Sequence, residues 1–489
     1  MDKKELVREA LKRSIRSKSF RKLVRPVMVS ALKKVMIGSD APKEAYLKRY
    51  YLMRNLALTV FKRLDEGRIS PDVIYKAYTN LVEGEFYGRA ADVNFHEKFK
   101  EEHGFYPPGF FVISPTQACN LRCKGCYAES HTGAWATLPF EVSDRILTEA
   151  EELLGIRFVV VSGGEPFIYK KFLDLVEKHP RQYFMVYTNG TLIDDATAAR
   201  MAELANITPA ISVEGFEKET DERRGKGVFQ RILKAMENLR RHGVPFGISV
   251  TATRKNFPIL MGDDFYKFFF EEQGATYMWQ FQLMPIGRGK EVFDLMPTPE
   301  ERRDLYFKWE ELLTKHKYFV ADFWNSGPAS FGCIAFGGYG GYFYITWNGD
   351  VTPCVFIPYS DSNILDIYEK GGTLVDAIKT PLFERGRRWL VYYSHSHRKE
   401  PGSWLRPCSI RDHYKIFREY VLTEDAKPID KASKEALEDP EYYEGLIEYD
   451  KKLIELMDPI WAKKYSDKWA FKTDDEILEE LKKAFPVGS

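Results

Sequence analysis

Short apolar runs alternate with amphipathic segments from Gly109 onward, and this alternation limits the fold more than any other feature. Six runs predict strands: Phe110–Ser114, Arg157–Val161, Tyr183–Tyr187, Thr208–Val213, Phe246–Ala252 and Met278–Met284. Segments between and after them, such as Val228–His242 and Thr298–His316, predict helices. Six strand-then-helix units predict an α/β fold, a partial (β/α)6 TIM-like barrel whose loops after the strands meet at one mouth.

The rest of the chain divides into three further regions. Residues 1–108 predict helices only, and the barrel is expected to span 109–330. Residues 331–425 are rich in glycine and aromatics, with a predicted turn at Trp347–Asp350, and 426–489 predict a charged helical tail. We therefore expect four regions with these boundaries.

Composition excludes several functional classes. A net charge of +1 gives no overall field that would favour nucleic acid, and no apolar run is long enough to span a membrane. No signal-peptide pattern opens the sequence, and six unevenly spaced cysteines do not form a disulfide framework, so we expect a cytoplasmic protein. Abundant Lys, Glu and Arg with few Gln suggest a thermophile.

Three cysteines lie in the run Cys119-Asn-Leu-Arg-Cys123-Lys-Gly-Cys126, directly after the first predicted strand. Three thiolates on one loop can hold three irons of a [4Fe–4S] cube and leave the fourth iron open. An open coordination position usually serves chemistry rather than structure. A zinc site, which would normally combine two close cysteines with a distant pair, and unbound thiols are the alternatives.

This C-x₃-C-x₂-C loop resembles the signature of the radical S-adenosylmethionine (radical SAM) enzymes. One βα unit later, Ser162-Gly163-Gly164-Glu165-Pro166 matches the element that binds the SAM amino group in that family. The resemblance implies that Gly163 and Gly164 let the backbone approach a ligand and that Glu165 supplies an anion for the ammonium group.

Further matches follow in chain order at the ends of later strands. Asn189 ends the third strand, and Ser212 and Glu214 end the fourth, where the acidic residue would face the ribose hydroxyls. Arg224 lies in a segment like the family's Arg-Gly turn and could pair with the SAM carboxylate. Pro285-Ile286-Gly287-Arg288-Gly289 would lie near adenine. The family commonly has an aromatic residue where this chain has Gly125, so Tyr127 is expected to replace it.

The resemblance also implies a mechanism and partners. A reduced [4Fe–4S] cluster at Cys119, Cys123 and Cys126 would cleave SAM to methionine and a 5′-deoxyadenosyl radical, which removes hydrogen from an unactivated C–H bond. The expected electron donor is a flavodoxin- or ferredoxin-type protein.

The other three cysteines are Cys333, Cys354 and Cys408. Their spacing around Gly349 resembles the SPASM and shorter twitch extensions of the family, which implies a second, auxiliary [4Fe–4S] cluster within 331–425. Asp412 and His413 are candidates for its fourth ligand. Three buried structural cysteines are the alternative.

The substrate is the least determined feature of the sequence. Residues 1–34 carry twelve Lys or Arg and three Asp or Glu, and Lys4, Arg8, Lys12 and Arg16 form a basic stripe beside Val7, Leu11 and Ile15. This pattern predicts either a helix packed on the body or peripheral docking on the anionic inner face of a membrane. We expect modification or cross-linking of a lipid alkyl chain, with peptide maturation and a non-enzymatic iron–sulfur protein as alternatives.

Overall fold

The computed structural model describes residues 3–79, 92–395, 400–467 and 471–486. Its main sheet has nine strands in the order β7-β6-β5-β4-β3-β2-β1-β8-β9. These strands are β1 Phe110–Ile113, β2 Phe158–Val161, β3 Tyr183–Thr188, β4 Ile207–Val213, β5 Gly247–Ala252, β6 Tyr277–Gln282, β7 Val320–Asp322, β8 Tyr344–Ile345 and β9 Val351–Thr352. A small antiparallel sheet pairs β10 Tyr359–Ser360 with β11 Lys427–Pro428.

Helices surround the main sheet and make up both ends of the described chain. They are α1 Lys3–Arg16, α2 Lys18–Met36, α3 Lys43–Asp65, α4 Pro71–Tyr78, α5 Val93–His103, α6 Phe140–Glu152, α7 Phe172–Lys178, α8 Asp195–Leu204, α9 Glu217–Arg224, α10 Val228–Arg241, α11 Phe257–Met261, α12 Asp264–Lys267, α13 Pro299–Glu311, α14 Gly327–Ser330, α15 Ile364–Glu369, α16 Pro381–Leu390, α17 Tyr414–Ile416, α18 Lys431–Glu438, α19 Pro440–Lys464 and α20 Asp474–Ala484. Short 3₁₀ segments lie at Pro166–Ile168, Gly287–Leu295 and Asp376–Ile378, and π-helical turns extend α12, α13, α16 and α17.

Strands β1 to β7 pair in parallel with their sequence neighbours, which confirms the predicted α/β fold. The six predicted strands begin and end within two residues of the observed ones. The predicted number of strands was too small. Strand β7 extends one edge beyond β6, and β8 pairs in parallel with β1 at the other. Both strands are only two or three residues long, too short to produce an alternating pattern in the sequence.

The sheet is buried on both faces, as parallel sheets usually are. On the outer face, α10 buries one apolar side against the sheet, including Phe229, Ile232 and Met236. On the inner face, Val112, Val160 and Met185 pack with Trp324, Phe356 and other side chains from the second half of the chain. The C-terminal half therefore closes the inside of the curved sheet.

The predicted turn at Trp347–Asp350 connects β8 to β9, which pair as an antiparallel hairpin. Gly349 has a φ of 86°, and a Cβ there would lie 2.8 Å from Asn363 Oδ1, so both conformation and space favour glycine. Because β8 joins the sheet next to β1, the segment after 331 is continuous with the barrel. The four boundaries expected from sequence remain a proposal.

The described part of the N-terminal region is helical, as predicted. Ile15 of α1 is buried with Phe61 and Leu64, and Arg21 of α2 pairs with Asp65 at 2.7 Å. This packing favours the packed-helix alternative for the end of α1; the side chains of Lys4, Val7, Arg8 and Leu11 lie outside the described residues. Among the helices that the structure describes, none combines the length and apolarity needed to cross a membrane.

Candidate functional site

The first cysteine set, Cys119, Cys123 and Cys126, lies on the loop that follows β1. All three cysteines line one cavity of about 360 Å³ at the carboxyl ends of the strands. Cys119 is buried, whereas Cys123 and Cys126 are half-buried. The structure therefore places this set at the mouth where parallel barrels hold their functional groups.

Two arginines hold the backbone of this loop. Arg288 donates from Nη2 to Ser130 O at 2.8 Å and to Cys123 O at 3.3 Å, and its own N–H donates to Cys126 O at 3.1 Å. Arg223 donates from Nε to Lys124 O at 3.0 Å. The sequence assigned Arg288 only to a Gly-rich segment near adenine, because its distant carbonyl partners leave no local pattern.

Burial dominates the electrostatics of the first set. It raises the pKa of the Cys119 thiol to about 12, although an N–H from Leu121 opposes the rise. Burial also raises the pKa of Cys123, and the Arg224 guanidinium, with Nη1 4.0 Å from the sulfur, opposes it. These thiols would therefore release their protons on binding a metal rather than before it.

Gly163 and Gly164 line the cavity and also pack against the cysteine loop. A Cβ on Gly164 would lie 2.0 Å from Ala118 O, and one on Gly163 would lie 2.7 Å from Ser114 Cβ. Gly164 N–H donates to Thr116 O at 2.9 Å. The glycines thus let the end of β2 contact the backbone just before Cys119.

Glu165 lies behind the cavity, with no exposed surface. Its carboxylate accepts from the N–H of Phe167 at 3.2 Å, the hydroxyl of Thr188 at 2.8 Å and the N–H of Asn189 at 2.7 Å. Burial raises the pKa of Glu165 to about 7. In the structure this side chain connects the ends of β2 and β3 and does not line the cavity.

The cavity lining also includes Tyr127, Asn189 and Ser212. The Tyr127 hydroxyl is 2.6 Å from Ser162 Oγ, and burial raises its pKa to about 12. Asn189 reaches Cys119 with Nδ2 3.8 Å from Sγ.

Glu214 and Arg224 contact each other. Arg224 Nε lies 2.9 Å from Glu214 Oε1, and Arg223 Nη1 lies 2.6 Å from Glu214 Oε2. Glu214 is buried, and only the arginines of this group line the cavity. The residues expected to bind ribose and carboxylate therefore form one ion-pair group.

The second cysteine set is Cys333, Cys354 and Cys408. Burial raises the pKa of each thiol, to about 12 for Cys354, and the charges of Cys408 and Cys354 add to the rise at Cys333. Their neighbours Ile334 and Val355 line the same cavity as the first set. Two members of the second set, Cys333 and Cys354, are thus next in sequence to residues that line the cavity of the first set.

A network of buried ion pairs holds the segment around Cys408; we call it the buried hub. Arg302 donates bidentately to Asp412, with one distance of 2.9 Å, and Arg406 contacts Asp450 at 2.7 Å and Asp458 at 3.0 Å. The His413 Nδ1 atom lies 2.7 Å from Asp474 Oδ1. Asp412 and His413, suggested as cluster ligands, are therefore engaged in the hub.

Both cysteine sets fit a cluster better than a single ion. Within neither set do the three sulfurs all lie within 4.8 Å of one another. A zinc ion bound at about 2.3 Å would bring sulfurs to within about 3.8 Å. Near Cys408, the buried Arg411 Nη2 has no hydrogen-bond partner among the described residues, and the Trp324 side chain donates toward the Cys408 sulfur, so donors for an anionic group are present.

The rest of the cavity lining is largely apolar, with some uncharged polar side chains. Among the described residues, the charged side chains that line it are Arg223 and Arg224. Its aromatic lining residues are Phe110, Tyr127, Phe158, Tyr187, Trp279, Phe281, Phe323, Tyr342 and Phe356.

The profile of the radical SAM superfamily matches residues 113–256, which contain the first cysteine set and Gly163 to Glu165. This chain carries a radical SAM domain. Members of the superfamily are enzymes that use a [4Fe–4S] cluster and SAM, as the sequence predicted.

The similar proteins include, by name, a mycofactocin maturase and a heme synthase. The chain is 33% identical over 227 residues to the mycofactocin maturase MftC of Mycolicibacterium smegmatis, covering 45% of this chain and 57% of that protein. It is 27% identical over 282 residues to an AdoMet-dependent heme synthase of Oleidesulfovibrio alaskensis, covering 51% and 70%. The match thus spans less than two thirds of the maturase and 70% of the heme synthase.

A solved structure shares the fold. Streptococcus suis SuiB bound to its precursor peptide SuiA has a TM-score of 0.50 and 20% identity, covering 60% of this chain and 70% of that one. None of the proteins named here supports the lipid substrate expected from sequence, and the thermophile expectation is likewise unsupported.

Proposed function

We propose that this chain is a radical SAM enzyme that modifies an apolar side chain of a peptide. The observation that carries the proposal is the largely apolar, aromatic-lined cavity that contains the first cysteine set and also Ile334 and Val355, the neighbours of Cys333 and Cys354. Because such a cavity would also accept a lipid chain, the choice of a peptide is supported by the similar proteins, a mycofactocin maturase and a structure bound to its precursor peptide, and the peptide-maturase alternative replaces the lipid hypothesis.

The cavity lining selects for a neutral, apolar group. Apart from its arginines, the polar side chains in the lining, such as Ser249, Thr251 and Gln282, are uncharged. A charged group placed among the aromatic side chains would lose its hydration without gaining a partner, which is costly. A Tyr, Phe or Val side chain would bury its surface there without this cost.

The same lining argues against a tetrapyrrole, the substrate class that the name of the heme synthase suggests. Tetrapyrroles of this kind carry several carboxylates, which need cationic partners. Arg223 and Arg224 are already paired with Glu214, and one of them is also needed for the carboxylate of SAM.

The residues have the following proposed roles. Cys119, Cys123 and Cys126 would hold the SAM-binding [4Fe–4S] cluster, and Gly163, Gly164, Asn189, Ser212 and Tyr127 would surround SAM, with Arg224 at its carboxylate. When bound, the cluster and SAM supply the radical that abstracts hydrogen. Cys333, Cys354 and Cys408 would hold a second [4Fe–4S] cluster, and a flavodoxin- or ferredoxin-type protein would supply the electron.

The substrate class can be tested with anaerobically prepared enzyme. We expect short peptides containing Tyr, Phe or Val to increase 5′-deoxyadenosine formation above the level with SAM and dithionite alone, and iron-coproporphyrin III not to do so. Phe281→Glu, which places a charge in the cavity, should abolish the increase while background cleavage remains. Phe307→Glu is the matched control, since Phe307 is exposed. Stimulation by the porphyrin alone would contradict the proposal.

We also propose that α2 is the surface that contacts an anionic membrane. Leu23 and Val27, one helical turn apart, are 70% and 69% exposed. The helix contains Lys22, Lys33 and Lys34 on its exposed side and has no acidic residue. Apolar side chains beside several lysines are typical of helices that lie in the interface of anionic lipids.

Vesicle sedimentation tests this contact. Leu23→Ser/Val27→Ser should reduce binding to phosphatidylserine vesicles by about tenfold or more, because the apolar contribution is lost. Val93→Ser, at an equally exposed valine on α5, should leave binding unchanged. Equal binding of both variants, or none by the parent, would contradict the proposal.

A further inference from the structure

Tyr342 connects the cavity with the second cysteine set. Its ring lines the cavity and stacks on Phe110, with centroids 5.0 Å apart and planes at 15°. Its backbone is anchored beside Cys333, because Tyr342 N–H donates to Ile334 O at 2.7 Å. The side chain is only 2% exposed.

The hydroxyl of Tyr342 lies 2.8 Å from Cys354 Sγ. Either atom could donate when the cysteine is a free thiol, but an iron-bound thiolate has no proton and can only accept. Phe356 N–H also donates to this sulfur, at 3.4 Å. Cys354 would therefore receive the Tyr342 hydroxyl in addition to backbone N–H donors once it binds iron.

The first set differs in the kind of donor that reaches its sulfurs. Cys119 receives the Leu121 N–H at 3.4 Å and the Asn189 amide at 3.8 Å, and Cys123 has Arg224 at 4.0 Å. Among the hydrogen bonds of the described residues, the Tyr342 hydroxyl is the shortest contact to any cysteine sulfur and the one O–H donor. The second set is therefore the one with a short hydroxyl contact.

We propose that the Tyr342 hydroxyl sets the reduction potential of the second cluster, an inference that rests on the proposed function of Cys333, Cys354 and Cys408. Hydrogen bonds to cluster sulfurs stabilise the more negative, reduced state and raise the potential. Tyr342 would act on the second cluster through Cys354, so it is a positioning residue and not a catalytic one. Its ring also borders the cavity in which substrate would bind.

The test is a potentiometric titration of the reconstituted enzyme, followed by electron paramagnetic resonance. Tyr342→Phe keeps the ring but removes the hydroxyl, so the midpoint potential of the second cluster should fall while that of the first stays unchanged and iron content is retained. Tyr359→Phe is the matched control: Tyr359 is buried, and its hydroxyl donates to Ser433 O rather than to a cysteine.

If Tyr342→Phe loses the second cluster, a second variant at the same position still tests the inference. Trifluorotyrosine incorporated at position 342 has nearly the same shape and is a stronger donor, so it should raise the midpoint potential. An unchanged potential in either variant with full iron content would overturn the inference. Parent enzyme with only about four irons would overturn the second cluster itself, and the inference with it, while leaving the radical SAM site intact.

Discussion

The two cysteine sets are positioned by different means. The first comes from one loop of eight residues, held by backbone contacts to Gly164 and Arg288. The second comes from three segments between residues 333 and 408, and the buried hub holds the last of them. A local motif can place three ligands with little help from the rest of the fold, whereas dispersed ligands depend on packing of the whole C-terminal half.

The surroundings of the two cysteine sets also differ in how a buried carboxylate is stabilised. Asp412 in the hub has its pKa lowered by Arg302 and Arg411, against the effect of burial. Among the described residues, Glu165 beside the first set forms no ion pair; the charge of Arg224 lowers its pKa, but burial raises it more. The hub stabilises charge by direct pairing, whereas the direct partners of Glu165 are backbone N–H groups and a hydroxyl.

The largest expected effect separates the chemistry of the two sets. Replacing Cys119, Cys123 and Cys126 together by Ala should abolish SAM cleavage and reduce iron from about eight to about four per chain, because the remaining cluster has its own ligands. Replacing Cys333, Cys354 and Cys408 by Ala is the matched control and should retain SAM cleavage. Iron analysis and detection of 5′-deoxyadenosine measure these two outcomes. SAM cleavage by the variant that lacks Cys119, Cys123 and Cys126 would refute the assignment of these cysteines to the SAM-binding cluster.

The next effect tests the hub. Arg406→Leu leaves Asp450 and Asp458 buried without their partner, which should destabilise the protein by about 3–5 kcal/mol and release the second cluster before the first. Arg388→Leu removes a solvent-accessible pair with Glu384 and should cost less than about 1 kcal/mol. Thermal unfolding and iron content of the two variants give the comparison. If Arg406→Leu retained both clusters and the midpoint of the control, the hub would not be what holds Cys408.

The sequence predicted the first cysteine set more fully than the second because the ligands of the first set lie close together in the chain. Cys119, Cys123 and Cys126 are neighbours along the chain, and the six main strands are long enough to show their pattern. Arg302 and Asp412 are 110 positions apart, and nothing near either residue indicates that they pair. The motif predicts that Glu165 binds the SAM amino group, but it does not show that Thr188 and Asn189 already donate to this carboxylate, and the predicted role stays a prediction.

The smallest expected effect concerns Glu165 and depends on pH. Its pKa is about 7 in the folded protein and about 4.5 when unfolded, so the unfolded state loses this proton first as pH rises. The contribution of protonated Glu165 to the free energy of unfolding is therefore fully present below about pH 4.5 and is lost as pH rises through about 7. At about 1.4 kcal/mol per pKa unit, this amounts to at most about 3.5 kcal/mol.

Glu165→Gln, which stays neutral at every pH, should expose this dependence. Relative to the parent, the variant should become more stable as pH rises from 5 to 8, as measured by anaerobic thermal unfolding of both proteins at each pH. Glu141→Gln, on the surface of α6, should show no such trend. A constant difference between parent and Glu165→Gln would mean that the three donors keep Glu165 ionised, as the hub arginines keep Asp412. The contrast between Asp412, which is paired with arginine, and Glu165, which is not, would then not hold. The two cysteine sets would differ only in that the first comes from one loop and the second from three separate segments.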